Sequence, residues 1–239
     1  FSGNDNNVWQ ANENNKPILV PEFYKLNALP GLLFSGIEFL NTENFNINVE
    51  FFILGKGNQP TNKFFKLGTG GYFSPVSSSY SLVSNSGTNF QSYSSVQSIN
   101  EYQYHNIGIQ GYPMHPNSFL KINGQSLSSL GGQGTSPSLS QFSNLNLGKQ
   151  LNGTIHEFLV FDTILEPVNR VFISNYLHDK YAPQINLGSD LSIDYGFCDI
   201  SLSSPNYYQS YLWSTGSTDS SIVINEPGLY WLETLDLFG

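Results

Sequence analysis

Carboxylate pairs are the first residues to consider, because two carboxyl groups about 5–5.5 Å or about 6.5–9.5 Å apart can hydrolyse a glycosidic bond. Glu157 and Asp162 are five residues apart, so an extended strand places them on opposite faces. Asp190 and Asp194 share a face, but four residues of extended chain separate them by about 13 Å. Local spacing therefore predicts no glycosidase pair, and a hydrolase would need carboxylates that converge from distant parts of the sequence.

Histidines could bind a metal, and the chain has four, His105, His115, His156 and His178. His105 and His115 flank the segment NIGIQGYPM, and we interpret them as loop residues rather than as a metal pair. His156 alternates with core residues in TIHEFLVF, which predicts hydrogen-bonded packing in a strand.

Tyrosines and amides cluster in one polar stretch of the sequence. Aromatic rings stack on the C–H faces of sugars and amides bond to hydroxyls, so the stretch is a candidate glycan-binding surface. Packing of alternating tyrosines across neighbouring strands is the competing interpretation. The candidate residues are Tyr102, Tyr104, Asn106, Gln110 and Tyr112.

Composition limits the partners of the chain. Its 239 residues carry 18 acidic and 9 basic side chains, so nucleic acid and anionic membrane surfaces are disfavoured. No apolar stretch is long enough to cross a bilayer. The single cysteine, Cys198, excludes a CxxC metal site and an internal disulfide. The opening FSGNDNN lacks a signal region, which predicts a mature or internal segment of a longer chain.

The elements that would position these residues are mostly strands. Residues 44–54 alternate apolar and polar side chains, which predicts a half-buried antiparallel strand with Glu50 on the polar face. Asn123-Gly124 predicts a hairpin turn. Residues 153–162 predict a central strand, and Pro167 starts a helix to about residue 180 with a broad apolar stripe. The sequence pattern changes near Gln184 from helical spacing to short strands and turns, and we predict a domain boundary there.

Residues 1–183 resemble the laminin-G-like branch of the concanavalin A-like lectin/glucanase superfamily. The stretch ALPGLLFSGIEFL matches one family pattern, with Phe34, Gly36, Phe39 and Leu40 in place. A second pattern covers the last strand and a closing helix that ends YL-x-x-KY. Its matches are Gly153, Ile155, Glu157, Val160, Phe161, Asp162, Tyr176, Leu177, Lys180 and Tyr181. The resemblance implies an all-β jelly-roll sandwich with a short C-terminal helix.

Residues 184–239 resemble an Ig-like β-sandwich module of large surface proteins of Bacteroidetes-type bacteria. The family has a second cysteine just after the position of Gly239, so the resemblance implies that Cys198 pairs with a cysteine beyond the chain end and that the module is incomplete. Trp213 and Trp231 are predicted core anchors. The matching residues are Leu187, Gly188, Asp190, Cys198, Tyr211, Trp213, Ser214, Thr215, Gly216, Gly228, Tyr230, Trp231, Asp236 and Gly239.

These resemblances imply a non-enzymatic binding or adhesion segment of a secreted or cell-surface bacterial protein, with a carbohydrate or a surface protein as its partner. Glucanases of the superfamily use E-x-D-x-E on one strand, and the chain has no such triplet. Some members bind Ca²⁺, for which Asn4, Asp5, Asn41 and Glu43 supply oxygens without a diagnostic spacing. The alternatives are a structural stalk of an adhesin or gliding-motility protein, and a glycan-active hydrolase or its accessory module.

Overall fold

The computed structural model describes residues 10–41, 49–58, 63–67, 71–76, 79–83, 89–94, 102–109, 119–127, 129–131, 145–192 and 199–239. Antiparallel strands dominate these ranges, so the predicted all-β class is confirmed. Within them, no helix is long and apolar enough to cross a membrane.

One α-helix, α1, spans Pro167–Tyr181 in the described part of the chain. The strands, in chain order, are β1 Ile18–Phe23, β2 Leu29–Ser35, β3 Leu40–Asn41, β4 Val49–Gly57, β5 Phe65–Leu67, β6 Gly71–Val76, β7 Ser79–Val83, β8 Asn89–Ser94, β9 Gln103–Ile109, β10 Phe119–Ile122, β11 Gln125–Ser126, β12 Ser129–Gly131, β13 Leu145–Leu147, β14 Asn152–Phe161, β15 Ile200–Ser203, β16 Ser210–Trp213, β17 Ser221–Ile224 and β18 Leu232–Leu235.

The chain forms two compact units. The first contains residues 1–21 and 30–170, and the second contains residues 22–29 and 171–239. The division falls within α1, while the sequence predicted domains at 1–183 and 184–239. The domain boundary near residue 184 stays a prediction.

The first unit is built on two seven-stranded sheets. The first sheet has the order β1-β2-β14-β4-β9-β10-β11, and the second has the order β12-β8-β7-β6-β5-β13-β3. One hydrophobic core takes side chains from both sheets, and the rings of Phe51 on β4 and Phe65 on β5 lie 5.1 Å apart. Two sheets that share one core make a β-sandwich.

β4 is buried on both faces, so the expectation of a half-buried strand with a polar outer face is wrong. Its described part starts at Val49, and positions 42–48 lie outside the described residues. Phe51 and Ile53 face the core, and Glu50 and Phe52 on the other face are also buried. Pattern reading placed Glu50 in solvent, whereas an arginine from a distant part of the chain pairs with it.

Three local predictions are confirmed. β14 is a central strand that pairs with β2 and β4. Helix α1 starts at Pro167, as expected for a residue that has no N–H to satisfy. The turn between β10 and β11 places Asn123 at φ 49° and Gly124 at φ 79°, the positive values that a type I′ hairpin requires.

The apolar stripe of α1 is buried only in part. Leu177 and Tyr181 are buried, whereas Val168, Val171 and Phe172 are exposed. Helical spacing alone therefore predicted the helix correctly and overstated how much of its surface is covered.

The second unit has a small core around Trp213. β15 pairs with β17, and β16 pairs with β18. Trp213 packs with Ile222 and Ile224, and its indole N–H donates to the carbonyl of Asp219 at 2.9 Å. The predicted role of Trp213 as a core anchor is confirmed. Cys198 lies outside the described residues, so its implied disulfide stays a prediction.

Candidate ligand-binding site

Glu50 is a fully buried carboxylate, and its hydrogen-bond partners decide what it can do. Oε1 accepts from Asn106 Nδ2 at 2.7 Å and from Arg170 Nε at 2.8 Å. Oε2 accepts from the backbone N–H of Leu165 at 2.9 Å and from Arg170 Nη2 at 3.1 Å. Four donors occupy both oxygens, so Glu50 holds the segment before α1 on the sheet and is not placed to act on a substrate.

The predicted tyrosine and amide cluster is mostly inside the protein. Tyr104 is 1% exposed, Asn106 is 2% exposed and Tyr102 is 9% exposed. Tyr104 and Asn106 therefore contact neighbouring strands and present no face to a ligand, which is the packing alternative raised by the sequence. Gln110 and Tyr112 lie outside the described residues.

Tyr102 lies beside two polar side chains, those of His156 and Lys56. The His156 ring lies edge-on to Tyr102 at 5.5 Å, and Lys56 Nζ lies 5.5 Å from the Tyr102 ring centre. His156 Nδ1 is 3.1 Å from the Pro30 carbonyl, and Nε2 is 3.0 Å from the Thr154 hydroxyl. Burial lowers the pKa of His156 to about 4, so the ring is neutral and acts as a packing group.

The other histidines separate into different environments. His105 lies in β9 and is buried beside Phe64, so its interpretation as a loop residue is wrong. Burial lowers its pKa to about 4. His178 is on α1, with Nδ1 3.8 Å from Asp236 Oδ2 in the second unit. His115 is outside the described residues.

The oxygens suggested for calcium are not gathered by the described parts of the chain. Asn41 Oδ1 accepts from Asn146 Nδ2 at 2.7 Å, which joins β3 to β13. Asn4, Asp5 and Glu43 lie outside the described residues. Among the residues that are described, no three His, Cys, Asp or Glu side chains group as metal ligands do. Calcium binding stays a prediction.

An exposed aromatic surface lies in the second unit instead. Trp231 is 46% exposed, so its predicted role as a core anchor is wrong. Tyr230 and Leu232 pack against the Trp213 core, so Trp231 between them points to the opposite face. The backbone N–H of Ser214 donates to the Trp231 carbonyl at 3.0 Å and extends the β16–β18 pairing to this residue.

The pairing register defines the rest of this surface. Leu212 lies opposite Glu233, and Ser210 lies opposite Leu235. Leu212 and Leu235 are both exposed. We call this surface the Trp231 face, and it consists of Ser210, Leu212, Trp231, Glu233 and Leu235.

Sequence reasoning missed the Trp231 face although the signal was present. In the segment YWLETL, Glu233 is a charged residue and marks the outward side of the strand. A period of two then places Trp231 on that side as well. The prediction failed because tryptophan was assigned to the core by residue type alone.

Comparison with known proteins adds distant likenesses only. No protein-family model and no curated protein sequence matches the chain. Among solved structures, the chain is similar to a binding domain of botulinum neurotoxin DC in complex with SialylT, with 17% identity, a TM-score of 0.47, and coverage of 74% of this chain and 48% of that one.

The same binding domain in complex with rat synaptotagmin II matches with 14% identity and a TM-score of 0.47, covering 87% of this chain and 51% of that one. The botulinum neurotoxin type G receptor-binding domain matches with 14% identity and a TM-score of 0.46, and the match covers 98% of this chain and 62% of that one. The chain thus spans 48–62% of the length of these structures. Such values are too low to assign a fold family or a ligand to this chain.

Proposed function

We propose that this chain is a non-enzymatic, glycan-binding segment of a secreted or cell-surface bacterial protein. In this proposal a concanavalin A-like jelly roll of the laminin-G-like branch precedes an Ig-like module, and the ligand binds the Trp231 face. The exposure of Trp231 on a sheet face is the observation that carries the proposal. The two-sheet core of the first unit supports the jelly-roll part.

Exposure of this indole has a free-energy cost that a ligand can offset. A tryptophan side chain buries about 150–250 Å² when it is covered. At about 25 cal/mol per Å², leaving nearly half of it in water forgoes about 2–3 kcal/mol. A flat ligand that covers the ring recovers this free energy.

The polar residues of the Trp231 face match the chemistry of sugars. A pyranose offers C–H groups to an aromatic ring and hydroxyls to hydrogen-bond acceptors around it. Glu233 is two residues from Trp231 on the same face, about 6.7 Å along the strand, and its carboxylate accepts hydroxyl donors. Ser210 lies opposite Leu235, about 13 Å along the strand from Trp231, so its hydroxyl is placed for the next sugar unit of an oligosaccharide. A stacked sugar can therefore bond to side chains that the strand already orients.

The test is glycan binding by the full 239-residue chain, with and without Ca²⁺, on an array of neutral and charged oligosaccharides. Trp231→Ala should weaken binding about 30-fold, the effect of losing a central contact worth about 2 kcal/mol. The matched control is Val223→Ala, an exposed apolar residue on β17 outside the Trp231 face. Its binding should equal that of the parent chain.

Three results would contradict the proposal. Absence of glycan binding would favour a stalk that contacts only proteins. Equal losses from Trp231→Ala and Val223→Ala would place the ligand elsewhere. Release of reducing sugar from a bound glycan would establish a hydrolase.

A further inference from the structure

We infer that the Trp231 face selects uncharged glycans and disfavours sugars that carry a carboxylate or a sulfate. This inference rests on the proposed function and specifies its ligand class. It comes from the distribution of charge over the second unit and from the position of Glu233.

The negative charge of the chain is concentrated in the second unit. Residues 22–29 and 171–239 contain nine acidic and two basic residues, so the charge is two minus nine, or −7, out of −9 for the whole chain. An anionic ligand approaching this unit meets a field of its own sign. The field therefore opposes binding before any contact is made.

The two cations of the second unit contact other groups. Lys25 Nζ lies 5.9 Å from the ring centre of Tyr207. Lys180 Nζ donates to the Tyr176 hydroxyl at 2.8 Å. Neither tyrosine is a residue of the Trp231 face, and neither lies in β16 or β18. The Trp231 face itself contains no basic residue, so a carboxylate or sulfate placed there has no counter-ion from this surface.

Glu233 adds a short-range repulsion of anionic sugars to the repulsion from the charge of the whole unit. A sugar stacked on Trp231 lies within about 6–7 Å of the residue two positions along the strand. At 6 Å in water, one like charge lowers the affinity of an anionic group about threefold. The same carboxylate accepts hydrogen bonds from neutral hydroxyls, so it favours the uncharged sugar.

The test compares an N-acetyllactosamine oligosaccharide with the same oligosaccharide capped by one sialic acid, each titrated into the full chain. The capped sugar should bind at least threefold more weakly at low salt, and the difference should shrink in 0.5 M NaCl because salt screens surface charges. Glu233→Gln should reduce the ratio of the two affinities about threefold. The affinity for the neutral sugar should stay within twofold of that of the parent chain, since Gln retains an acceptor.

Asp179→Asn is the matched control, because it removes the same charge from an exposed position on α1. It should change the ratio of the two affinities less than Glu233→Gln does, because Asp179 contributes only to the general field of the unit. Equal or tighter binding of the capped sugar, lost in Trp231→Ala, would overturn this inference and leave the proposed function standing. If these sugars and every other array glycan fail to bind, the proposed function itself fails.

Discussion

Replacement of Glu50 by Gln tests the buried ion pair of the first unit. Glu50 is 0% exposed and Arg170 has an 18% exposed side chain, and their closest approach is 2.8 Å. Gln keeps the shape of the side chain, removes the charge and turns one acceptor into a donor. The new NH₂ group meets the N–H donors of either Arg170 and Asn106 or Arg170 and Leu165.

The expected loss of stability is large because the arginine stays behind. Removing one partner of a buried ion pair leaves the other charge, here the Arg170 guanidinium, without its counter-ion, at a cost of about 3–5 kcal/mol. Losing two hydrogen bonds to a charged group, at about 1.5–3 kcal/mol each, gives a similar size. We expect Glu50→Gln to lower the unfolding free energy of the first unit by about 3–5 kcal/mol.

Hydrogen exchange measured by mass spectrometry suits this test, because peptides report each unit separately. Protection should fall in β4, β9 and β14 and stay constant in β16 and β18. Glu13→Gln is the control, since its pair with Lys16 is on the surface and should change stability by about 0–1 kcal/mol.

A double variant guards against misfolding of the single one. Glu50→Gln with Arg170→Met removes both charges, so it should be more stable than Glu50→Gln alone. Equal protection in the Glu50→Gln and Glu13→Gln variants would refute the reasoning. So would a double variant less stable than the single one.

Three further perturbations address other parts of the molecule. Trp213→Ala should cost the second unit about 3–5 kcal/mol, seen as lost exchange protection in β16 and β18, and unchanged protection would contradict its core role. Gly124→Ala should cost about 1 kcal/mol or more in urea unfolding, because φ is 79° and a Cβ would lie 2.8 Å from the Tyr104 hydroxyl. Burial lowers the pKa of His156 to about 4, whereas the unfolded chain has the ordinary value of about 6.5. As pH falls from 6.5 to 4 the unfolded state takes up a proton that the folded state does not, so the first unit should lose about 3 kcal/mol of unfolding free energy. His156→Gln should reduce by about half the slope of the first unit's unfolding free energy against pH between 6.5 and 4, because buried His105 has a similarly lowered pKa and stays in place. An unaltered slope would refute this.

Local rules explain which elements the sequence predicted. The hairpin at Asn123-Gly124 depends on two residues that tolerate positive φ, and the start of α1 depends on the missing N–H of Pro167. Both are properties of a few adjacent residues. The central position of β14 followed from apolar side chains on both faces of one segment. None of these predictions required knowledge of a distant partner.

Non-local partners explain what the sequence did not predict. Glu50 is buried because Arg170, 120 residues away, completes its pairing, and no pattern within β4 indicates that arginine. Tyr104 is covered for a related reason, since it lies on a strand with neighbours on both sides. Trp231 is the opposite case, because a residue predicted to be in the core is exposed. The prediction used residue type alone, although Glu233 two positions along the strand already indicated an exposed face.

The β10–β11 turn also bears on how this protein ages chemically. An asparagine followed by glycine is prone to deamidation, because the glycine nitrogen can attack the asparagine side-chain carbonyl carbon. In this hairpin the Asn123 side-chain oxygen accepts from the Tyr104 N–H at 3.1 Å, and the Asn123 N–H donates to the Tyr104 carbonyl at 3.0 Å. The side chain must break the first bond to swing toward Gly124, so the slow gain of one negative charge at this pair would record how often the Asn123 side chain separates from β9.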